Sequence, residues 1–160
     1  MTDVLTTQQR KFNMSRIGGK DTAPEMIVRR ELHARGLRFR LHERSLPGCP
    51  DLVLPKHRAV IFVNGCFWHQ HGCCLTKTPS TNQDFWKSKL ERNVDRDTQN
   101  VILLMLAGWR VALIWECALR GNDAQKSTAV LFEAMAIWIR NQPNCLIFEQ
   151  TGSTAANAGK

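Results

Sequence analysis

Two apolar runs, residues 59–63 and 109–115, are too short for globular helices and too continuous for surface strands, so both read as buried strands. Between them a long helix is predicted from Thr81, with Trp86, Leu90, Val94 and Val101 on one face, a polar stripe of Lys89, Asn93 and Arg96, and a stop at Gly108. Such an order commits the chain to a sheet with helices laid over it. The flanks fit that plan. Thr22 and Glu25 have the spacing of a capping box, Pro24 suits a first turn and Gly36 a stop, which predicts a helix burying Val28 and Leu32. Residues 38–42 alternate like a half-exposed strand, residues 46–50 form a turn, and residues 51–54 form a further strand. Residues 130–139 read as part of an amphipathic helix packed on the sheet. The resulting order, α-β-β-β-α-β-α, implies an α/β sandwich around a mixed sheet.

At 160 residues there is room for one domain, placed at residues 21–149. Residues 1–20, with Arg10, Lys11, Arg16 and Lys20 around isolated Phe12, Met14 and Ile17, read as a flexible basic arm. Residues 150–160 are small and polar and read as a disordered tail. Lys and Arg number 22 against 14 Asp and Glu, a net +8 that favours a polyanionic partner. The longest apolar run, residues 101–107, is far short of a membrane span, and the first residues lack a signal-peptide core, so a cytoplasmic protein is expected. The chain has no Tyr, which excludes nucleases that join covalently to DNA through a tyrosine.

Residues 64–79 have no periodicity but hold three of the six cysteines and two of the five histidines. Cys66, His71 and Cys73 fall within eight residues, and Cys117 follows the strand predicted at 109–115. Three thiolates and an imidazole would close a tetrahedral, structural zinc site, with Cys74 and His69 as alternative ligands. Small buried thiols are the plainer reading. Asp51 opens a strand, close to the strand at 59–63 and downstream of Glu25. Carboxylates at strand ends suit magnesium, which takes oxygen ligands, although a turn cap for Asp51 and the capping box for Glu25 explain both residues without a metal. Phe67 and Trp68 are either core residues or an aromatic wedge that enters a base stack, and Trp86 poses the same choice. Arginines at 29, 30, 35, 38, 40 and 44, opposed only by Glu31 and Glu43 in that window, form either a solvated face or a phosphate-contacting one.

Six segments taken together resemble the very short patch repair (Vsr) family of DNA mismatch endonucleases. They are Gly48-Cys49-Pro50-Asp51, the run from Asn64 to Cys73, Phe85-Trp86, the run from Asn93 to Asp97, Gly108-Trp109-Arg110-Val111, and the run from Trp115 to Arg120. The likeness extends from about Phe12 to Gly121. It implies a restriction-endonuclease-like fold and a magnesium-dependent bacterial enzyme. That enzyme would nick 5′ of the T in T·G mismatches left by deamination of 5-methylcytosine. By the same resemblance Asp51 and the Val63 carbonyl hold magnesium, His69 assists the attacking water, and Glu25 reaches the metal cluster through water. Cys66, His71, Cys73 and Cys117 hold structural zinc. Phe67, Trp68, Trp86 and Met14 contact DNA beside the mismatch, where Lys89 and Asn93 meet the mismatched bases. Double-stranded DNA is then the partner of a monomer, with general mismatch-repair proteins as further partners, acting in the bacterial nucleoid.

Members of that family often carry histidine where this chain has Asn64. An amide can hydrogen-bond a water but cannot take up its proton near neutral pH, which leaves more of the proton transfer to His69. Two other functions compete with the mismatch nickase. One is a restriction-type endonuclease of the same fold that cuts normal duplex, and the other is a zinc-stabilised DNA-binding module without catalysis.

Overall fold

The computed structural model describes residues 8, 9, 12, 20–73, 75–76, 79–120, 124–141 and 146–148. Most of the basic arm, including Met14, and all of the tail at 150–160 lie outside the described residues, as does Cys74.

Helix α1 (Ala23–Ala34) starts as its sequence dictates. The Thr22 Oγ1 accepts from the Glu25 N–H at 3.4 Å, and the Glu25 carboxylate turns back to accept from Asp21 N at 3.1 Å and Thr22 Oγ1 at 3.0 Å. It stops at Gly36, whose φ of 77° lets the Leu37 N–H close back on the Leu32 carbonyl at 3.1 Å. Chain reversal through β1 (Arg40–Leu41) leads to β2 (Leu52–Leu54) and β3 (Ala59–Asn64). A four-residue helix α2 (Cys66–His69) follows, then the long α3 (Gln83–Leu106), β4 (Arg110–Trp115), α4 (Ala124–Asn141) and β5 (Leu146–Phe148).

The strands form one five-stranded sheet in the order β1-β2-β3-β4-β5. The β1-β2 and β2-β3 pairs are antiparallel and the β3-β4 and β4-β5 pairs are parallel, so the sheet is mixed, as the element order implied. Alternation along β3 and β4 divides the core between its two faces. Ala59, Ile61, Ala112 and Ile114 point at α1 and α4, meeting Val28, Leu32, Phe132, Met135 and Trp138. Val60 and Val111 point the other way, at Leu104 of α3. Arg110, on β4, ties two of these layers together: its guanidinium donates to the carbonyls of Trp138 and Ile139 at the end of α4 and of His57 before β3.

Three local expectations are corrected. The strand predicted over 38–42 shrinks to Arg40–Leu41, both exposed at the sheet edge. Residues 64–79 contain α2, which is too short to carry a periodic signal. The face assigned to α3 also changes along its length. Leu90 and Leu104 are buried, while Val94 is exposed and Trp86 belongs to no core cluster.

Candidate functional site

The β2-β3 hairpin brings Asp51, just ahead of β2, against the far end of β3, where Asp51 Oδ2 accepts from the Val63 N–H at 2.7 Å. Burial pushes the Asp51 carboxyl up to about 6, the nearby Glu25 charge adds to the rise, and the Val63 N–H opposes it. Glu25 itself is 3% exposed and held on three sides, because besides its two capping contacts it accepts from Arg29 NH2 at 2.8 Å. His42 stands between the carboxylates, its Nε2 3.7 Å from Glu25 and its Nδ1 3.7 Å from Asp51. Asp21, Glu25 and His42 have the proximity of metal ligands, but the Arg29 guanidinium already bridges Asp21 and Glu25 and supplies the cation there.

From the other side α2 delivers His69. Its Nδ1 makes a short contact with the Asp97 carboxylate of α3. An ionised carboxylate only accepts, so the ring proton sits on Nδ1 and the Nε2 lone pair is left for chemistry. Asp51, His69, Asp97, Glu25, His42 and Asn64 line one cleft of about 1120 Å³, and Asn64 lies buried at its wall. A carboxylate able to take a hard cation and an oriented imidazole facing one cleft are the parts of a hydrolytic site.

Cys66, His71, Cys73 and Cys117 converge as the spacing suggested, their ligand atoms all within 4.8 Å of one another. His71 Nε2 lies 3.2 Å from Cys66 Sγ and 3.3 Å from Cys117 Sγ, and its ring stacks on Trp115 at 4.1 Å. His69, the alternative ligand, is engaged with Asp97 instead. Burial, first of all, pushes the Cys66 thiol far above the ordinary cysteine range. Four nitrogen and sulfur donors at these separations fit a tetrahedral thiophilic ion.

Phe67, Trp68 and Trp86 form one half-buried cluster, with ring centroids 5.0 Å apart for Phe67–Trp68, 5.5 Å for Phe67–Trp86 and 6.1 Å for Trp68–Trp86. Among the described residues none of the three belongs to a core cluster. The Lys89 ammonium lies over Trp68 and Trp86 at 5.3 and 5.4 Å, and the Asn93 Nδ2 donates to the Trp68 carbonyl at 3.2 Å. The stripe that meets α2 and the aromatic cluster is Lys89, Asn93 and Asp97, at successive steps of four. Arg96, the third member of the polar stripe expected from the sequence, is exposed at the rim of the same cleft, with its NH2 3.4 Å from Asp97 Oδ1. That spacing could have been read from the sequence. The arginine window also divides. Arg29 and Arg35 are taken up by internal ion pairs, while Arg30, Arg38, Arg40 and Arg44 are exposed.

Comparison with known proteins makes the chain a DNA endonuclease. The family described as DNA mismatch endonuclease Vsr matches residues 2–75. The DNA mismatch endonuclease Vsr of Escherichia coli is 45% identical over 87% of this chain and 88% of its own length. The type II nicking enzyme V.XorIIP of Xanthomonas oryzae pv. oryzae is 47% identical over 74% of this chain and 88% of its own. For V.NmeAIP of Neisseria meningitidis the identity is 42%, over 76% of this chain and 87% of that one. The chain belongs to the DNA mismatch endonuclease Vsr family. Among the described residues, no helix is long and apolar enough to cross a membrane.

Proposed function

We propose that this protein is a magnesium-dependent nicking endonuclease with a restriction-endonuclease-like fold. It cuts 5′ of the T in T·G mismatches that arise when 5-methylcytosine deaminates, and works as a monomeric domain over residues 21–149 in the bacterial cytoplasm. The observation that carries this reading is the meeting of Asp51, Val63 and the His69–Asp97 pair in one cleft beside the Phe67, Trp68 and Trp86 cluster.

Asp51 and the Val63 carbonyl are the magnesium ligands in this reading, and Glu25 supports them from behind. The fit rests on the state of Asp51: its Oδ1 has no hydrogen bond among the described residues, and its raised carboxyl is one that a bound cation would return to the charged form. Magnesium, when bound, supplies positive charge to the phosphate under attack. His69 takes the proton of the attacking water through Nε2, and Asp97 holds the ring and stabilises the imidazolium that forms. Asn64 contributes no base. His69→Ala should slow nicking about 10²–10⁴-fold, the usual worth of general-base catalysis. Asp97→Asn should fall in the same range, because a side-chain amide leaves the tautomer unfixed. Single-turnover rates on one duplex measure both, and a His69→Ala rate within threefold of wild type contradicts the assignment.

Cys66, His71, Cys73 and Cys117 are the ligands of a structural zinc ion, supported by a donor set closed to substrate. The aromatic cluster is the wedge. Unstacking costs less at a mismatch, so rigid rings turn weak pairing into selectivity. In this reading Lys89, over those rings, and Asn93, bonded to the Trp68 carbonyl, meet the bases that the wedge exposes. Trp68→Ala should weaken binding to a T·G duplex roughly ten- to a hundredfold, given about 1–3 kcal/mol per base–aromatic stack, and weaken C·G binding far less. Equal losses on both duplexes would assign Trp68 a packing role. The whole reading is tested by nicking of end-labelled T·G and C·G duplexes with magnesium or chelator. Equal cutting of both would make the enzyme restriction-type, and none of either would leave a DNA-binding module.

A further inference from the structure

The Asp51 carboxylate is held differently at its two oxygens. Oδ2 takes the Val63 N–H at 2.7 Å, whereas Oδ1 faces the Nδ1 of His42 at 3.7 Å. The other His42 nitrogen, Nε2, lies 2.9 Å from NH2 of Arg29. A guanidinium has only donors, so at this contact Nε2 accepts and the ring proton sits on Nδ1, on the side of Asp51. Arg29 is itself fixed. It is 9% exposed, its NH1 pairs with Asp21, and its NH2 also donates to Glu25 Oε2 at 2.8 Å.

We propose that Arg29 and His42 are a positioning pair for the Asp51 carboxylate, in which Arg29 fixes His42 as the neutral Nδ1–H tautomer and that N–H sets the orientation of Asp51 Oδ1. The proposal rests on the reading of Asp51 as the cation-holding carboxylate. It adds that Asp51 is aimed from α1 through Arg29, and not by its own strand alone. At 3.7 Å the contact is electrostatic and longer than a hydrogen bond, so its effect is to bias the carboxylate's rotation without locking it. The groups facing His42 are Arg29 and Glu25 from α1 and Asp51 ahead of β2. Partners of this kind, one step behind a ligand, typically change metal affinity or activity by about 10–100-fold when removed.

The first arm of the test needs neither metal nor DNA. In nitrogen-15-labelled, magnesium-free protein at neutral pH, long-range proton–nitrogen spectra report which ring nitrogen carries the proton. The His42 signals are assigned by their loss in His42→Gln. A protonated Nδ1 with an unprotonated Nε2 is expected, and Arg29→Met should bring in the Nε2–H form. Wild-type His42 found as Nε2–H, or protonated at both nitrogens, overturns the proposal. The second arm reads the magnesium concentration for half-maximal nicking. His42→Ala should raise it roughly tenfold with a smaller change in the rate at saturating magnesium. His42→Gln should restore most of it, because its amide can both accept from Arg29 and donate toward Asp51. A structural role alone would lower the folded fraction and leave the magnesium requirement where it was, so an unchanged requirement in His42→Ala also overturns the proposal. Wild-type nicking that needs no magnesium would instead refute the function proposed for the site, while the tautomer measurement still decides the pair.

Discussion

Asp51→Ala should reduce nicking of a T·G duplex to background while leaving affinity for that duplex intact or slightly improved. The side chain supplies charge directly to the cation and touches nothing in the aromatic cluster, and its removal takes a negative group away from the phosphate. A wild-type rate from Asp51→Ala in magnesium would end the proposed mechanism. The same residue predicts a pH signature with a definite sign. Its carboxyl is raised from 3.8 to about 6 in the metal-free fold, so the fold favours the protonated form. The stability this contributes is fully present below pH 3.8 and is lost as pH rises through about 6. Asp51→Asn keeps an oxygen for the Val63 N–H and never ionises. Without magnesium it should be more stable to unfolding than wild type above pH 6, by up to about 3 kcal/mol at 1.36 kcal/mol per unit, with the advantage fading toward pH 4. Magnesium removes part of that difference by stabilising the charged form. Below pH 6 protons compete for the carboxylate, so the magnesium needed for half-maximal nicking should rise.

How much of this was legible in the sequence depended on how local each feature is. The stops at Gly36 and Gly108 follow from one residue's freedom at positive φ, and both occur as expected, with φ of 77° and 78°. Asp51 and the clustering of Cys66, His71, Cys73 and Cys117 were legible as residue types at characteristic positions, and needed the sheet only to be brought together. What was missed depends on packing between elements distant in sequence. Strand β5 has three residues and exists through its parallel register with β4, where Leu146 faces Ala112. Arg29 looked like one charge in a basic window, yet it is buried because Asp21 and Glu25 flank it on the turn and first coil of α1. Asp97 gains its contact with His69 only when α2 packs on α3. His42 carries no sequence signal at all, since its meaning lies in three neighbours from two separate segments.

Cys117→Ser should be the most destabilising single change at the four-ligand cluster. Cys117 lies in the turn Glu116–Leu119 directly after β4 and is 1% exposed, and its N–H donates to Cys66 Sγ at 3.3 Å. Of the four clustered residues it alone comes from the sheet side, while Cys66, His71 and Cys73 belong to α2 and the loop after it. A zinc ion held there would tie the end of β4 to the helix that carries Phe67, Trp68 and His69. Cutting that tie should cost on the order of 4 kcal/mol, the range reached when a metal site is lost. It should also loosen wedge and base together, so that binding selectivity and nicking fall in parallel, unlike in Asp51→Ala. Because the thiols must lose their protons to hold zinc, stripping with chelator should become easier as pH falls, and the melting temperature should recover with zinc but not with magnesium. Metal analysis of freshly purified protein should give one zinc per chain. Folded protein without zinc, or a Cys117→Ser protein that melts with the wild type, would return these cysteines to the status of small buried thiols.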